Sequence, residues 1–283
     1  VSGCHGQSSI LYNGYEYDLV EIGGQCWFKE NLRTSHYSEG TPIFYPDSDN
    51  TAWENNISGA YSWWQNDSTN SMSSNGALYN GYAVSNDLGI CPVGWQVPSD
   101  CDFMYLENSL GMGIQDQQGF LSVDDFGNIG RGTDQGSQLK SLNFNGNNSS
   151  GFTLETTGYR EWHGNTFGNV NNAGLWTITN NIIRGFKPNN PKIGRTTQNP
   201  NVGFGVRCVK KKINSNTIYS WNSGETTSSI TVQPSGTTNY TVNVTSGTTT
   251  CTSDPTIITV QPLPTVDLGA DVELCNGTTQ TLD

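Results

Sequence analysis

The sequence predicts an α+β domain of short strands with two or three short helices, followed by an all-β module. Three observations carry that expectation. Apolar residues alternate on both sides of Asn13-Gly14, the pattern of a hairpin. A twelve-residue stretch, Gly89 to Asp100, packs a cysteine, a tryptophan and two prolines just ahead of a run at helical spacing. From Ile213 the composition shifts to Thr, Ser and Val with period-two alternation, which argues for strands separated by short turns.

In chain order, Ile10 and Tyr12 precede the Asn-Gly pair, and Tyr15, Tyr17 and Leu19 follow it. Gln25 to Arg33 reads as a short helix, with Trp27, Phe28 and Leu32 available to a core. Residues 34–75 read as loop-rich, anchored by Trp53, Tyr61, Trp63 and Trp64, and the Ser/Asn run from Asn66 to Asn75 reads as an exposed loop. Pro92 and Pro98 fix their own φ and push the preceding residues toward extended geometry. Between them Val93 to Val97 leaves room for one short strand carrying Trp95 inward. After Pro98, Ser99 or Asp100 caps a helix whose Phe103, Leu106 and Leu110 recur at helical spacing until Gly111 stops it. Residues 111–150 are rich in Gly, Asp, Asn and Gln, with one helical turn near Gln135 to Leu142. Residues 151–209 read as short strands with Asn-rich turns, closing on Phe204 to Val209.

Charged residues make up 13% of the chain, and the net charge is −12. Asn, Ser, Thr and Gly supply most of the polar surface, a composition that points outside the cell. The acidic balance argues against nucleic acid, which needs a basic footprint, and against an anionic membrane surface. The one basic run, Lys210-Lys211-Lys212, reads as a solvated linker. No apolar run is long enough to cross a bilayer. Val1 reads as a mature N-terminus exposed by processing. Seven cysteines in a chain of this class read as a disulfide framework with one left over. The eight Trp and twelve Tyr read as core first, and as sugar-stacking platforms second.

Catalytic motifs are missing from the sequence. His5, His36 and His163 stand far apart, without metal-ligand spacing. There is no Gly-x-Ser-x-Gly, no phosphate-binding glycine loop and no Cys-x-x-Cys. Calcium is the one cofactor left open. Asp124-Asp125 lies in no Asp-x-Asp-x-Asp-Gly pattern, and Asp47-Ser48-Asp49-Asn50 lacks the glycine and terminal glutamate of a calcium loop. The expectation is therefore no enzyme, no catalytic residue and no metal ligand.

The central stretch Gly89-Ile90-Cys91-Pro92-Val93-Gly94-Trp95-Gln96-Val97-Pro98-Ser99-Asp100 resembles the core motif of the Fibrobacter succinogenes major paralogous domain, an extracytoplasmic bacterial module. Four further segments resemble that family's motifs in the same order: Tyr17 to Leu32, Gly76 to Val84, Gly151 to Arg160 and Gly203 to Val209. The resemblance spans about residues 4–211. One segment departs from it: where the family usually reads Trp-Trp-Ser-Ser, this chain has Leu175-Trp176-Thr177-Ile178. The resemblance implies a C-type-lectin-like fold, no assigned enzymatic activity, and the pairings Cys4 with Cys26 and Cys91 with Cys208. Cys101 has no partner in the family motif and is expected as a buried free thiol.

The segment Ile218-Tyr219-Ser220-Trp221, with Ser223 to Thr227 after it, resembles the signature of immunoglobulin-like repeats in Bacteroidetes surface proteins. Ser229 to Val232, Tyr240 to Val242, Cys251 and Ile257 to Val260 continue as those repeats do. Pro262-Leu263-Pro264 is similar to an inter-repeat linker, and the chain from Val266 to Leu282 resembles the opening of such a repeat. The domains expected are thus 1–211, an incomplete immunoglobulin-like module at 213–262, and a linker with a donor tail at 263–283. The module lacks its opening strands, and the tail is an opening without a body. Either a further repeat is cut short, or the tail completes a module. On the second reading Val266, Leu268, Val272, Leu274 and Leu282 fill the acceptor's core. By the habit of such repeats Cys275 bonds Cys251 of a neighbour. The function expected is a secreted structural subunit of an extracellular filament or surface layer, partnered by its own copies. The alternative is a carbohydrate-binding adhesin partnered by glycans.

Overall fold

Asn13 and Gly14 both take positive φ, 46° and 80°, which is what a two-residue type I′ hairpin needs. They join β1 (Ser9–Tyr12) to β2 (Tyr15–Ile22), with Tyr12 opposite Tyr15. A second pair at positive φ, Gly23 and Gly24, returns the chain as β3 (Gln25–Phe28), with Val20 opposite Trp27. The helix expected from Gln25 is therefore a strand. The four residues Gln-Cys-Trp-Phe are all buried, and a short apolar run buried on both faces carries no period that distinguishes helix from strand. The preceding glycine turn decides it. The computed structural model describes residues 4–70, 75–119, 130–168, 171–210, 218–246, 249–253 and 255–261. It divides the chain into two compact units, Val1–Ser215 and Asn216–Asp283.

In the first unit α1 (Asn50–Glu54) is capped by the Asp49 carboxylate, which accepts from the Ala52 amide. β4 (Tyr61–Ser62) pairs with β5 (Leu78–Tyr79), and α2 (Gly81–Val84) starts under the Asn80 side chain. The strand expected over Val93 to Val97 is instead a turn ending in one bridging residue. Gly94 sits at φ 84°, Val93 is 91% exposed, and only Gln96 bridges, exchanging both backbone bonds with Val209. Pro92 has no donor to offer, and the left-handed Gly94 turns the chain before a ladder can form. Trp95 still reaches the core, partly buried against Phe28 with ring centroids 4.8 Å apart.

The helix after Pro98 forms as its caps dictate. In α3 (Asp100–Ser109), Ser99 accepts from the Asp102 amide and the Asp102 carboxylate accepts from the Ser99 amide, a reciprocal capping box. Gly111 follows at φ 93°. Then come α4 (Ile114–Gln118), α5 (Gln135–Leu139) and the pair β6 (Tyr159–Arg160) and β7 (Phe167–Gly168). β8 (Ala173–Trp176), β9 (Ile182–Phe186) and β10 (Gly194–Thr197) form an antiparallel sheet ordered β10-β9-β8. β11 (Val209–Lys210) joins β3, giving the order β1-β2-β3-β11. Two apolar cores result. Phe28, Trp176 and Cys208 belong to one, while Trp27, Leu175 and Val209 belong to the other. Successive residues of a strand face opposite sides, so these segments form the partition between the cores.

In the second unit β12 (Ile218–Trp221) is followed by β13 (Thr238–Tyr240), β14 (Val242–Ser246), β15 (Thr249–Thr252) and β16 (Thr256–Ile258). β12, β14 and β15 make one antiparallel sheet, and β13 pairs with β16. Ser229 to Val232, expected as strand-like, lies outside the strands. There the Thr227 hydroxyl donates to the Ser229 carbonyl, a local bond that competes with a ladder. Both units are thus built of small antiparallel sheets with few short helices. Among the described residues no helix is long and apolar enough to cross a membrane.

Candidate functional site

The most concentrated chemistry in the first unit is an ionic centre between α3 and the β9–β10 pair. Asp100, Phe103 and Glu107 fall on one stripe of α3 by helical spacing. The strand register sets Arg195 directly opposite Arg184, a like-charge pair that costs stability by itself. Asp100 resolves it. Arg184 Nη1 donates to Asp100 Oδ1 at 2.6 Å, and Arg195 donates from Nε to Oδ1 at 3.0 Å and from Nη2 to Oδ2 at 2.6 Å. Glu107 accepts from Arg184 Nε at 2.6 Å and from both terminal nitrogens of Arg131 at 2.8 and 3.1 Å. All five side chains are buried. Burial alone would raise the pKa of Asp100, but the guanidiniums of Arg184 and Arg195 outweigh it and hold the carboxyl below the usual carboxylate range. Both carboxylates are filled by guanidinium donors, so the centre holds α3 onto the sheet and leaves no free base.

Three other buried cations are met by carbonyls and rings. Arg160 lies over the Trp53 ring at 4.4 Å and donates to the Gly164 carbonyl at 3.1 Å. Arg207 donates to Asn31 Oδ1 at 2.7 Å and to the Phe152 and Thr153 carbonyls. Lys140 Nζ donates to the carbonyls of Lys187, Pro188 and Asn190 at 2.8 to 3.0 Å, and burial pulls its pKa down to about 8. Each ties two loops distant in sequence. No motif reveals them, because the partners are backbone atoms or residues far along the chain.

The structure joins Cys4 to Cys26 and Cys91 to Cys208. Cys101 is a free thiol, partly exposed rather than buried, because position 101 falls off the inward stripe of α3. Among the described residues no group of three His, Cys, Asp or Glu side chains is arranged to hold a metal. Asp49 caps α1 and Asp47 accepts from the Tyr45 hydroxyl. Asp124 and Asp125 lie outside the described residues.

The second unit presents a different feature. Tyr219 stands opposite Val244, and Trp221 opposite Val242. Directly opposed residues share a face, so these four lie together. All four are half-buried, whereas Ile218, Ser220 and Asn243 between them are exposed. The neighbouring pair places Tyr240 opposite Thr256 and Thr238 opposite Ile258. Among the described residues of this unit none is buried. Position 251 stands opposite Val244. The side chain of Cys251, together with Val266, Leu268, Val272, Leu274, Cys275 and Leu282, lies outside what the structure describes.

The model of the family described as Fibrobacter succinogenes major domain matches residues 20–210, well over half of the chain. No curated protein and no solved structure matches it.

Proposed function

We propose that this chain, which belongs to the Fibrobacter succinogenes major domain family, is a secreted structural subunit of an extracellular bacterial filament or surface layer. On this reading the first unit is a C-type-lectin-like body and the second an incomplete immunoglobulin-like module. A neighbour completes that module with its residues 265–283. The observation that carries the reading is the second unit's apolar sheet side, which has no buried residue among those described. A sandwich sheet stripped of its partner exposes apolar surface and strand edges, which invites strand addition. Self-completion is disfavoured by geometry. The opening segment of such a sandwich runs parallel to its last strand, and a parallel pairing needs a crossover of about a dozen residues. The three residues Pro262-Leu263-Pro264 are too few and too stiff. A head-to-tail contact that does not close a ring builds a filament. Two disulfides and a weakly charged surface support an oxidising, extracellular setting. The adhesin reading finds some support in Phe44 and Trp162, 46% and 44% exposed on the first unit. Electron microscopy of the native material tests the proposal. Polymers that vanish when residues 265–283 are deleted are the expected result. Polymers that persist after the deletion, or glycan-dependent binding by a strict monomer, overturn it.

A further inference from the structure

Assembly by strand donation leaves open how the donor enters, and the two sequences facing each other answer it. Val266 to Leu274 reads Val-Asp-Leu-Gly-Ala-Asp-Val-Glu-Leu. Its even positions are Val266, Leu268, Ala270, Val272 and Leu274, all apolar. Its odd positions are Asp267, Gly269, Asp271 and Glu273, three of them acidic. In an extended chain these two sets stand on opposite sides. The acceptor has one matching side. Tyr219, Trp221, Val242 and Val244 form an apolar face, and the register that gathers them sends Ser220 and Asn243 the other way. Residues 218–261 contain no Lys and no Arg, so this module has no cation to meet three inward carboxylates. Burying a carboxylate without a partner is strongly unfavourable. A one-residue slip would turn every donor side chain to the wrong side.

We infer that residues 266–274 of a second copy enter this module in one parity, with the even-numbered side chains on the Tyr219–Trp221–Val242–Val244 face and the acidic side in water. This rests on the assembly reading above and specifies its interface. The parity has a further consequence. Cys275 falls on the acidic side of a straight strand, so the chain must leave the extended course after Leu274 to bring position 275 toward position 251. Asn276-Gly277 is a turn dipeptide placed to do so.

The test uses the full chain and reads polymer by sedimentation and microscopy. Leu268→Asp or Val272→Asp should lower the polymer fraction by at least about tenfold. Asp271→Lys, one residue away and equally drastic in charge, should leave it within about twofold. A second arm mixes two chains. Val244→Asp donates but does not accept, and Leu268→Asp accepts but does not donate, so the mixture should give a discrete two-chain species. Wild-type polymers that tolerate Leu268→Asp and Val272→Asp overturn the parity and leave the assembly reading standing. Polymers lost equally with Asp271→Lys also overturn it. Wild-type chains that stay monomeric sink the assembly reading itself. A mixture that yields only monomers sinks donation between copies.

Discussion

Asp100 is the residue on which the first unit's ionic centre turns. Its two oxygens bridge Arg184 and Arg195, which the strand register sets opposite each other as buried cations. Removing one partner of a buried ion pair costs about 3–5 kcal/mol, because the remaining charges stay buried. Asp100→Asn should therefore destabilise the protein by an amount in that range, measured by urea unfolding. The pH dependence has a definite sign. The folded pKa of Asp100 lies below the ordinary carboxylate value, which is about 3.9 in an unfolded chain. As pH falls below about 4 the unfolded state takes up the proton first, and stability drops until the folded carboxyl also protonates. The Asn variant should lack this part of the acid slope. An unchanged slope between pH 4 and 2 would show that Asp100 is not its source.

Helix α3 is positioned by its first turn. Asp102 completes the capping box and also accepts from Gln25 Nε2 of β3 and from Gln96 Nε2, each at 3.1 Å. One carboxylate thus fixes the helix start, the buried strand and the Gln96 bridge together. Ser99→Ala should cost about 1 kcal/mol, the usual worth of a cap. Asp102→Ala should cost at least about twice as much, since bonds to a charged acceptor are lost along with the box. Equal shifts in the urea midpoint would mean that the links to Gln25 and Gln96 carry no weight. This helix was legible in the sequence because its signals are local: Pro98, Ser99, and Phe103 and Leu106 at helical spacing. The Asn13-Gly14 hairpin was legible for the same reason. β3 was not, because Gln-Cys-Trp-Phe is buried on both sides and shows no period. The ionic centre was not either, because Glu107 and Arg184 meet across 77 residues and no spacing rule relates them. In the second unit the alternation from Ile218 to Trp221 announced a strand, while Ser229 to Val232 offered the same cue and had no ladder to join.

At the scale of the whole molecule the Cys91–Cys208 bond spans 117 residues and ties the central turn to the partition between the two cores. In the chain-entropy model closing a loop of that size contributes about 4–5 kcal/mol. The bond also matters for a chain held at its two termini and stretched. A load applied along the chain passes through the sulfurs and bypasses the intervening residues, which include α3, its ionic centre and the β8–β10 sheet. Fully extended, 117 residues reach about 400 Å, and the oxidised chain withholds all of it. In force spectroscopy of a chain held at its two termini, unfolding the oxidised first unit should therefore release only the chain outside this loop, and reductant should add roughly the loop's length to each event. The sulfurs thus hold a fixed length in reserve, out of the line of tension until a reductant frees it.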